Sequence, residues 1–386
     1  MVNAAEYLFS YAFQQRASDI HIEPKRGESL VRFRIDGALH QVNKLPAVVH
    51  RAVINRIKTL ARLDIGEKRR PQDGRIKTEF QNKAVEFRVS TLPVAFGEKA
   101  VLRIFDPEIV HDDIRQLGFF EREELLFEKL IKRPHGIVLV TGPTGSGKTT
   151  TLYTALRRLA NDDVNITTIE DPIEMVFERI NQTAVQPTIG ISFASALRTI
   201  LRQDPDIIMV GEIRDLETAR NAIQASLTGH LVFSTLHTND APSAVARLID
   251  LGIENFLLAS TLSGLIAQRL VRKVCSGCAE ERSLTEPELG QLGGLLDVTG
   301  GALPLIREGA GCVDCRHTGF KGRQGIFEMF EINEAVRELI MQRGSVDAIR
   351  AQARADGMLS LREAAVQKML AGETSLSEVL KVTAVD

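Results

Sequence analysis

Residues 142–149 read GPTGSGKT, and this octapeptide constrains the fold more than any other stretch of the chain. It matches the pattern G-x-x-x-x-G-K-[ST], follows the apolar run GIVLVT and precedes the helix-forming segment TTTLYTALRRLA. Strand, glycine-rich loop and helix in this order predict a phosphate-binding loop, because glycines let backbone N–H groups converge on phosphate oxygens at a helix amino terminus. With strand and helix both in place, we set aside the alternative of a glycine-rich turn that matches by chance.

The residue types in this loop predict a nucleoside triphosphate as the ligand. Lys148 is expected to neutralise β- and γ-phosphate charge, and the Thr149 hydroxyl to ligate Mg²⁺. No NKxD-like guanine signature occurs in the chain, so ATP is the expected nucleotide. The predicted nucleotide-binding residues are Gly142, Pro143, Thr144, Gly145, Ser146, Gly147, Lys148, Thr149 and Thr150.

A second strand, DIIMV, ends in Gly211 and Glu212, where nucleotide-hydrolysing domains usually place a metal-binding aspartate. Glu212 is expected at the carboxyl edge of the sheet, where it can orient and deprotonate the attacking water. With glycine at 211, the metal needs another acid, and Glu170 at the end of TIE is the catalytic candidate. The structural alternatives are pairing of Glu212 with Arg214 and a turn-capping role for Glu170.

Two histidines flank the next apolar strand in TGHLVFSTLHTND. His237 closes the strand, so we expect it at the same edge as Glu212, where it can sense the γ-phosphate as a catalytic residue. His230 opens the strand at the far end and is a weaker nucleotide-binding candidate. For both, a hydrogen-bonded structural histidine is the alternative.

All four cysteines fall in two pairs, CSGC and CVDC. Two CxxC pairs predict a tetrahedral Zn²⁺ site with four thiolates, and a closed set of ligands is typical of a structural metal. A redox pair and a nucleic-acid-binding zinc ribbon are the alternatives. The first lacks its fold context, and the second lacks a basic stripe with interleaved aromatics. The predicted zinc ligands are Cys275, Cys278, Cys312 and Cys315.

The whole chain has 386 residues, which is long enough for two or three domains, and its pattern predicts an α/β protein. Strands and helices alternate after Gly136, which favours a doubly wound sheet. The net charge of −2 and the lack of Trp give no support to nucleic acid as a partner. The first twenty residues lack a signal-peptide pattern, and the longest apolar stretch, 256–267, is too short for a membrane helix.

Together the motifs closely resemble those of the GspE/PilB family of secretion ATPases, which power type II secretion and type IV pilus assembly. GPTGSGKT, TIEDPIE, MVGEIRD and TGHLVFSTLHTND are similar to its Walker A, Asp box, Walker B and His box. ASDIHIEP, RRPQDGR and the tetracysteine insert are similar as well. The resemblance implies a RecA-like ATPase domain preceded by a small α+β (PAS-like) domain, with a Cys₄ zinc insert and a helical carboxyl terminus.

The resemblance further implies a cytoplasmic homo-hexamer docked on an inner-membrane platform protein, with ATP between the two domains. Arginines similar to Arg88 and Arg103 reach the γ-phosphate in that family, and Arg75 is a weaker candidate of the same kind. The alternative for all three is a solvated arginine paired with Glu79 or Glu86. Members usually carry a further amino-terminal region, so we expect this sequence to be a shortened version.

We therefore expect an α+β domain over residues 1–107, a linker over 108–117 and the ATPase domain over 118–386. The zinc insert is expected at about 272–325. The leading functional hypothesis is a pilus-extension motor, and a type II secretion pseudopilus motor is the alternative. A DNA translocase and a non-enzymatic ATP-binding scaffold are remoter.

Overall fold

A computed structural model describes residues 2–80, 83–105, 113–296 and 303–384. The chain divides into two compact units, Met1–Ile109 and Val110–Asp386. This division falls within the range predicted as a linker, of which residues 108–112 lie outside the described residues. The sequence QNK at 81–83 favours a turn, and its residues 81 and 82 also lie outside the described residues.

The first unit is a six-stranded antiparallel sheet, in the order β3-β2-β1-β6-β5-β4, with two helices. Apolar residues alternate with arginines along its second strand, so Val31, Phe33 and Ile35 are buried. The pair Asp36-Gly37 is typical of a hairpin turn, and it joins β2 to β3 with both residues at positive φ. The elements are α1 (Val2–Gln14), β1 (Ala17–Pro24), β2 (Glu28–Ile35), β3 (Ala38–Pro46), α2 (Ala47–Leu60), β4 (Gln72–Phe80), β5 (Lys83–Val94) and β6 (Gly97–Phe105).

The second unit is built on a seven-stranded sheet in the order β15-β12-β7-β11-β10-β8-β9. Its neighbouring strands are parallel except β15, which runs antiparallel to β12. The strands are β7 (Gly136–Thr141), β8 (Ile166–Glu170), β9 (Asn181–Ala184), β10 (Ile207–Val210), β11 (Leu231–Leu236), β12 (Leu262–Val274) and β15 (Phe320–Glu331). The doubly wound α/β arrangement predicted from the sequence is confirmed.

Helices cover both faces of this sheet, which explains why GIVLVT is buried along its whole length. One face packs against α3 (Glu121–Ile131) and α4 (Lys148–Leu159). The other face packs against the remaining helices. These are α5 (Phe193–Ile200), α6 (Leu216–Leu227), α7 (Ser243–Asp250), α8 (Asn255–Thr261), α10 (Glu334–Met341), α11 (Val346–Ala355), α12 (Leu361–Leu370) and α13 (Leu376–Val382).

The cysteine-containing insert is more regular than the sequence indicates. It holds a two-stranded antiparallel sheet of β13 (Ala279–Ser283) and β14 (Leu305–Gly309), and the helix α9 (Glu286–Gln291). The strand β15 begins at Phe320, inside the range predicted as loop-rich. Its glycines and charged residues hide the strand pattern, and pairing with β12 supplies the order. Among the described residues, no helix is long and apolar enough to span a membrane.

Candidate active site and metal centre

The phosphate loop connects β7, a central strand of the seven-stranded sheet, to α4. Gly142 and Gly147 adopt φ values of +145° and +90°, which disfavour any residue with a side chain. A Cβ at Gly142 would lie 2.5 Å from the Gln268 carbonyl oxygen, and one at Gly147 would lie 2.7 Å from its Nε2. Buried Gln268 on β12 also accepts a hydrogen bond from Thr151 Oγ1 at 2.8 Å. Gln268 therefore packs against both the phosphate loop and the first turn of α4.

Polar groups inside the loop either lack a partner or contact backbone carbonyl groups where a phosphate could bind. The Lys148 Nζ donates to the carbonyl oxygens of Gly142 at 2.6 Å and Pro143 at 3.1 Å. Burial lowers the pKa of Lys148, and the charge of Glu212 opposes that shift. Buried Ser146 Oγ has no hydrogen-bond partner among the described residues. Thr149 is exposed in the first turn of α4, where a metal ion could reach its hydroxyl. These residues fit a bound triphosphate.

Glu212 lies in the turn that follows β10, at the carboxyl edge of the sheet. The turn is held on both sides, since the Gly211 N–H donates to Ile169 at 2.8 Å and Thr235 Oγ1 donates to the Gly211 carbonyl at 2.7 Å. The Glu212 carboxylate pairs with Arg214 at 2.5 Å and approaches His237 Nε2 at 3.4 Å. The predicted pair of Glu212 and His237 is therefore brought together. The contact with Arg214, weighed as the structural alternative, is present as well.

The packing around residue 211 explains a glycine there, independently of the altered metal site inferred from the sequence. A Cβ at this position would lie 3.3 Å from the Ile169 carbonyl oxygen and 3.5 Å from the Glu170 Cα. The backbones of β8 and the turn after β10 are thus close enough that a side chain at 211 would require a small shift of the Ile169 carbonyl group.

Both carboxylate oxygens of Glu170 accept hydrogen bonds, whereas the sequence predicts an acid that is available to the metal. Tyr153 Oη donates to Oε2, while Thr168 Oγ1 at 2.5 Å and Gln182 Nε2 at 3.1 Å donate to Oε1. Tyr153 lies on α4, so Glu170 ties β8 to the phosphate-loop helix. Burial and the Glu170 charge raise the pKa of Tyr153, which keeps this hydroxyl a donor. The contacts indicate that Glu170 positions α4, and its catalytic role stays a prediction.

The segment that contains His237 is hydrogen-bonded to the end of β7, the strand that precedes the phosphate loop. Thr141 Oγ1 lies 2.7 Å from Thr238 Oγ1 and accepts from the Thr238 N–H at 2.8 Å. Farther along, the Ala241 N–H donates to buried Glu328 Oε1 at 2.9 Å. Sequence reasoning missed Thr141 and Thr238, although a threonine that ends an otherwise apolar strand beside the loop is a usable signal.

His230 lies away from this group of residues. Leu231 pairs with Gly136 at the start of β7, whereas Leu236 pairs with Thr141 at its end. His230 thus precedes the end of β11 opposite the phosphate loop. Its Nδ1 lies 2.8 Å from the Ala225 carbonyl oxygen and 3.0 Å from Thr228 Oγ1. Within this chain the histidine anchors a turn, and its role in nucleotide binding stays a prediction.

The three predicted arginines of the first unit form one row across its sheet. Arg75 pairs with Arg88, and Arg88 pairs with Arg103, on adjacent strands. Asp19 on β1 stands opposite both Arg103 and Arg34. Directly opposed like charges destabilise a sheet, by roughly 0.2–1 kcal/mol per pair. A row of four arginines around one aspartate is therefore a surface that favours an anion.

Each of these arginines has a local contact that orders it. Arg103 Nε lies 3.1 Å from Asp19 Oδ1, and Arg88 lies over the Phe105 ring at 4.2 Å from the ring centroid. Arg75 is 3.6 Å from Glu86, the ion pair that the solvated alternative anticipates. Asp19 was missed as a partner, because its approach to Arg103 depends on the non-sequential pairing of β1 with β6.

The four cysteines converge as the CxxC spacing predicts. Their Sγ atoms all lie within 4.8 Å of one another, and three of the pairs are 3.7, 3.8 and 3.9 Å apart. Tetrahedral zinc with Zn–S bonds of about 2.3 Å requires S···S distances of about 3.8 Å, so the arrangement fits that ion. A disulfide would need about 2.05 Å, which none of these pairs approaches.

Backbone N–H groups donate to two of the four sulfurs. Burial raises the pKa of Cys315, but N–H donors from Cys312 at 3.1 Å and Gly319 at 3.3 Å outweigh it, and the pKa is lowered to about 6. A third N–H, from Gly311, donates to Cys278 Sγ at 3.3 Å, but burial outweighs it and raises the pKa of that thiol to about 12. Backbone donors directed at sulfur stabilise its charged form, which is the form that binds metal.

Comparison with known proteins decides the family. The profile of the family described as Type II/IV secretion system protein matches residues 2–381. The chain belongs to this family. It is 50% identical over 384 residues to the type IV pilus assembly ATPase TfpB of Acinetobacter baylyi, covering 99% of this chain and 65% of that relative. It is 48% identical over 383 residues to type II secretion system protein E of Xanthomonas campestris, covering 99% of this chain and 67% of that relative.

A solved structure of the pilus retraction motor PilT with bound ADP shares the fold. The TM-score is 0.64 at 27% identity, and the match covers 99% of this chain and 97% of that one. The chain thus spans about two thirds of the length of the first curated relatives of the Type II/IV secretion system family, and nearly all of the PilT structure. Relatives named for pilus assembly and for type II secretion have nearly equal identity, so identity alone does not separate the two branches.

Proposed function

We propose that the chain is an ATP-hydrolysing motor that powers assembly of a pilin fibre. The observation that carries this proposal is the meeting of Glu212 and His237 at the sheet edge that also holds the phosphate loop. The four-cysteine cluster and the family support the proposal that such a motor works in a pilus or secretion system. A type II secretion pseudopilus motor is the alternative, and relatives of both kinds support it equally.

ATP is expected to bind with its phosphates along residues 142–149. Lys148 would exchange the carbonyl oxygens of Gly142 and Pro143 for β- and γ-phosphate oxygens, so its ammonium group would regain charged partners. The Ser146 hydroxyl would gain the partner that it lacks. Thr149 is the residue that would hold Mg²⁺, which supplies charge neutralisation between the β- and γ-phosphates.

Glu212 is proposed to orient the attacking water and accept its proton. Its two carboxylate oxygens now contact Arg214 and His237, and each oxygen keeps a further lone pair that can accept from a water. Both partners are exposed, with 61% of the Arg214 side chain and 52% of the His237 side chain accessible. His237 is proposed as the hydrogen-bonding neighbour that connects Glu212 to the γ-phosphate. Both roles follow from position at the sheet edge.

Arg88 and Arg103 are proposed to complete the site from the first unit, with Arg75 as a weaker contributor. An anion would reduce the repulsion between the neighbouring arginines, and the terminal phosphate of ATP is such an anion. Guanidinium groups at that position stabilise charge in phosphoryl transfer and are worth about 10³ or more in rate. Because they belong to another unit than the phosphate loop, hydrolysis would be coupled to relative movement of the two units.

Family membership also supports a proposal for the wider assembly. We propose a homo-hexamer with a structural Zn²⁺ held by Cys275, Cys278, Cys312 and Cys315, located in the cytoplasm. It would act at the inner membrane through a platform protein. A DNA translocase remains the remoter alternative, and single-stranded DNA that strongly stimulates ATP hydrolysis would favour it.

The direct test replaces Glu212 with Gln. We expect Glu212→Gln to keep binding of a fluorescent ATP analogue and to reduce phosphate release at least about 10²-fold, because the general base is lost while the phosphate loop is intact. Glu217→Gln is the matched control, since Glu217 lies five residues away on α6 and makes an exposed ion pair with Arg198. Unchanged turnover in Glu212→Gln would reject Glu212 as the base.

A further inference from the structure

A cavity of about 370 Å³ is lined entirely by residues of the first unit. Its volume is in the range of small-molecule sites. Four segments form its walls: the first turns of α2, the turn between β1 and β2, the loop between α2 and β4 that carries Lys68, and the turn between β5 and β6. The lining residues used below are Lys25, His50, Arg51, Lys68, Val94 and Phe96.

The α2 helix presents its amino terminus to this cavity without a cap. Ala47 and His50 of its first turn are lining residues. The N-cap position is Pro46, no side chain accepts a hydrogen bond from the first N–H groups, and the first turn contains no acidic residue. A helix start of this kind leaves N–H donors and a partial positive charge unmatched.

His50 supplies a second, independent sign of a missing ligand. It is 5% exposed and lines the cavity, and its Nδ1 has no hydrogen-bond partner among the described residues. Its ring donates a hydrogen bond to the Glu98 backbone. Burial lowers the pKa of His50, with a smaller opposing effect of Glu98. In the neutral ring, whose one proton goes to Glu98, Nδ1 is an acceptor, so a ligand O–H group that donates to it would recover the about 1–3 kcal/mol that a buried polar atom without a partner costs.

The charges around the cavity are unbalanced towards the positive. Its two acids are each neutralised, because Glu28 pairs with Lys44 at 3.0 Å and Glu98 pairs with buried Lys58. The three lining cations, Lys25, Arg51 and Lys68, have no ion-pair partner within residues 2–80 and 83–105 or elsewhere in the described chain. Three unpaired cations and a helix start match a doubly charged anion better than a single carboxylate.

The remaining wall is apolar and exposed. Phe96 is 56% and Val94 is 39% accessible, although both are large apolar residues. Between Phe96 and Glu98 the chain turns through Gly97, whose φ is +135° and whose missing side chain leaves room beside Pro24 and His50. A ligand with a planar or apolar group next to its anion could cover Phe96 while the anion reaches α2.

We propose that this cavity binds a phosphate ester, with the phosphate at the amino terminus of α2 and the organic group against Phe96 and Val94. The phosphate accepts from the α2 N–H groups and from Arg51, and Lys25 and Lys68 neutralise its charge. The same chemistry is offered by a soluble phosphorylated metabolite and by an anionic phospholipid headgroup. The site is lined only by residues of the first unit and does not depend on the proposed motor function.

The test uses phenyl phosphate as the probe, in the full chain carrying Lys148→Ala so that the phosphate loop does not compete. Isothermal titration calorimetry should show saturable binding, with phenol showing none. Arg51→Glu should weaken binding at least about tenfold, as expected for loss of one charge-assisted hydrogen bond. Arg26→Glu is the matched control, because Arg26 adjoins Lys25, changes the net charge equally and does not line the cavity.

Vesicle co-sedimentation distinguishes the two sources of phosphate. Binding to phosphatidylglycerol vesicles that is lost in Arg51→Glu and retained in Arg26→Glu assigns the site to a lipid headgroup, while phenyl phosphate binding without vesicle binding assigns it to a soluble ester. Far-UV circular dichroism and the thermal midpoint show that each variant is folded. The proposal is overturned if folded protein binds neither probe, or if Arg26→Glu weakens binding as much as Arg51→Glu.

Discussion

The Thr141 hydroxyl offers the sharpest test of how the site is held together. It accepts from the Thr238 N–H at 2.8 Å and contacts Thr238 Oγ1 at 2.7 Å, with the Thr238 and Leu236 carbonyl oxygens at 3.0 and 3.2 Å. A hydroxyl has a single proton, so only one of these acceptors is served at a time. Thr141→Val keeps the shape of the side chain and removes both the acceptor and the donor.

The expected cost follows from these contacts. Loss of one donated hydrogen bond costs about 0.5–1.5 kcal/mol, and leaving the Thr238 N–H unsatisfied adds about 1–3 kcal/mol. We therefore expect the free energy of unfolding of the second unit to fall by about 2–4 kcal/mol, because valine opens no cavity. Since Thr238 follows His237 directly, the histidine should also lose its fixed position. We expect turnover to fall about tenfold with ATP affinity nearly unchanged.

The assay is urea unfolding followed by circular dichroism, together with steady-state phosphate release. Thr154→Val is the matched control, because the Thr154 hydroxyl only donates to the Thr150 carbonyl one turn earlier in α4. That variant should lose less than about 1 kcal/mol. Equal stability and turnover in Thr141→Val and the unmodified chain would refute the role given to this contact.

Two further predictions concern the metal centre and a buried acid. Cys312→Ser should reduce bound Zn²⁺, measured by mass spectrometry of purified protein, from about one equivalent per chain to less than half, because a four-thiolate site loses a ligand; undiminished zinc would contradict the site. Burial raises the pKa of Glu123 to about 7 from an ordinary value of 4.5, so its contribution to stability is present below pH 4.5 and is lost as the pH rises through 7. Glu123→Gln should therefore stabilise the second unit by about 1–3 kcal/mol at pH 8 and by little at pH 5; thermal midpoints with the same difference at both pH values would exclude this assignment.

The sequence was sufficient for the parts of the site that local pattern determines. The phosphate loop, the strand ending in Glu212 and the cysteine cluster depend on spacing along the chain and on the rule that parallel strands end at one edge. The contacts of Glu170 with Tyr153, and of Asp19 with Arg103, depend on which strands and helices become neighbours in three dimensions. Periodicity does not encode that choice, so the sequence left Glu170 as an open acid and Arg103 without its partner.

The insert shows the same limit at the level of secondary structure. The strand β15 contains two glycines and four charged residues among its twelve, and these mask its alternation. Its order comes from pairing along the whole of β12, which buries Gln324 through Phe330. By contrast, the carboxyl-terminal helices were predicted well, because their helical periodicity and serine caps are local signals.

The central claim is the proposal that the loop of the second unit binds ATP and that arginines of the first unit contact its terminal phosphate. The most direct measurement compares turnover and ATP affinity in Arg88→Ala and Arg103→Ala with those in Arg32→Ala, whose guanidinium pairs with Glu23 outside the arginine row. We predict that turnover falls about 10³-fold in the first two variants, with ATP affinity changed less than about tenfold, and stays near normal in Arg32→Ala. Normal turnover in both Arg88→Ala and Arg103→Ala, in folded protein, would contradict the claim.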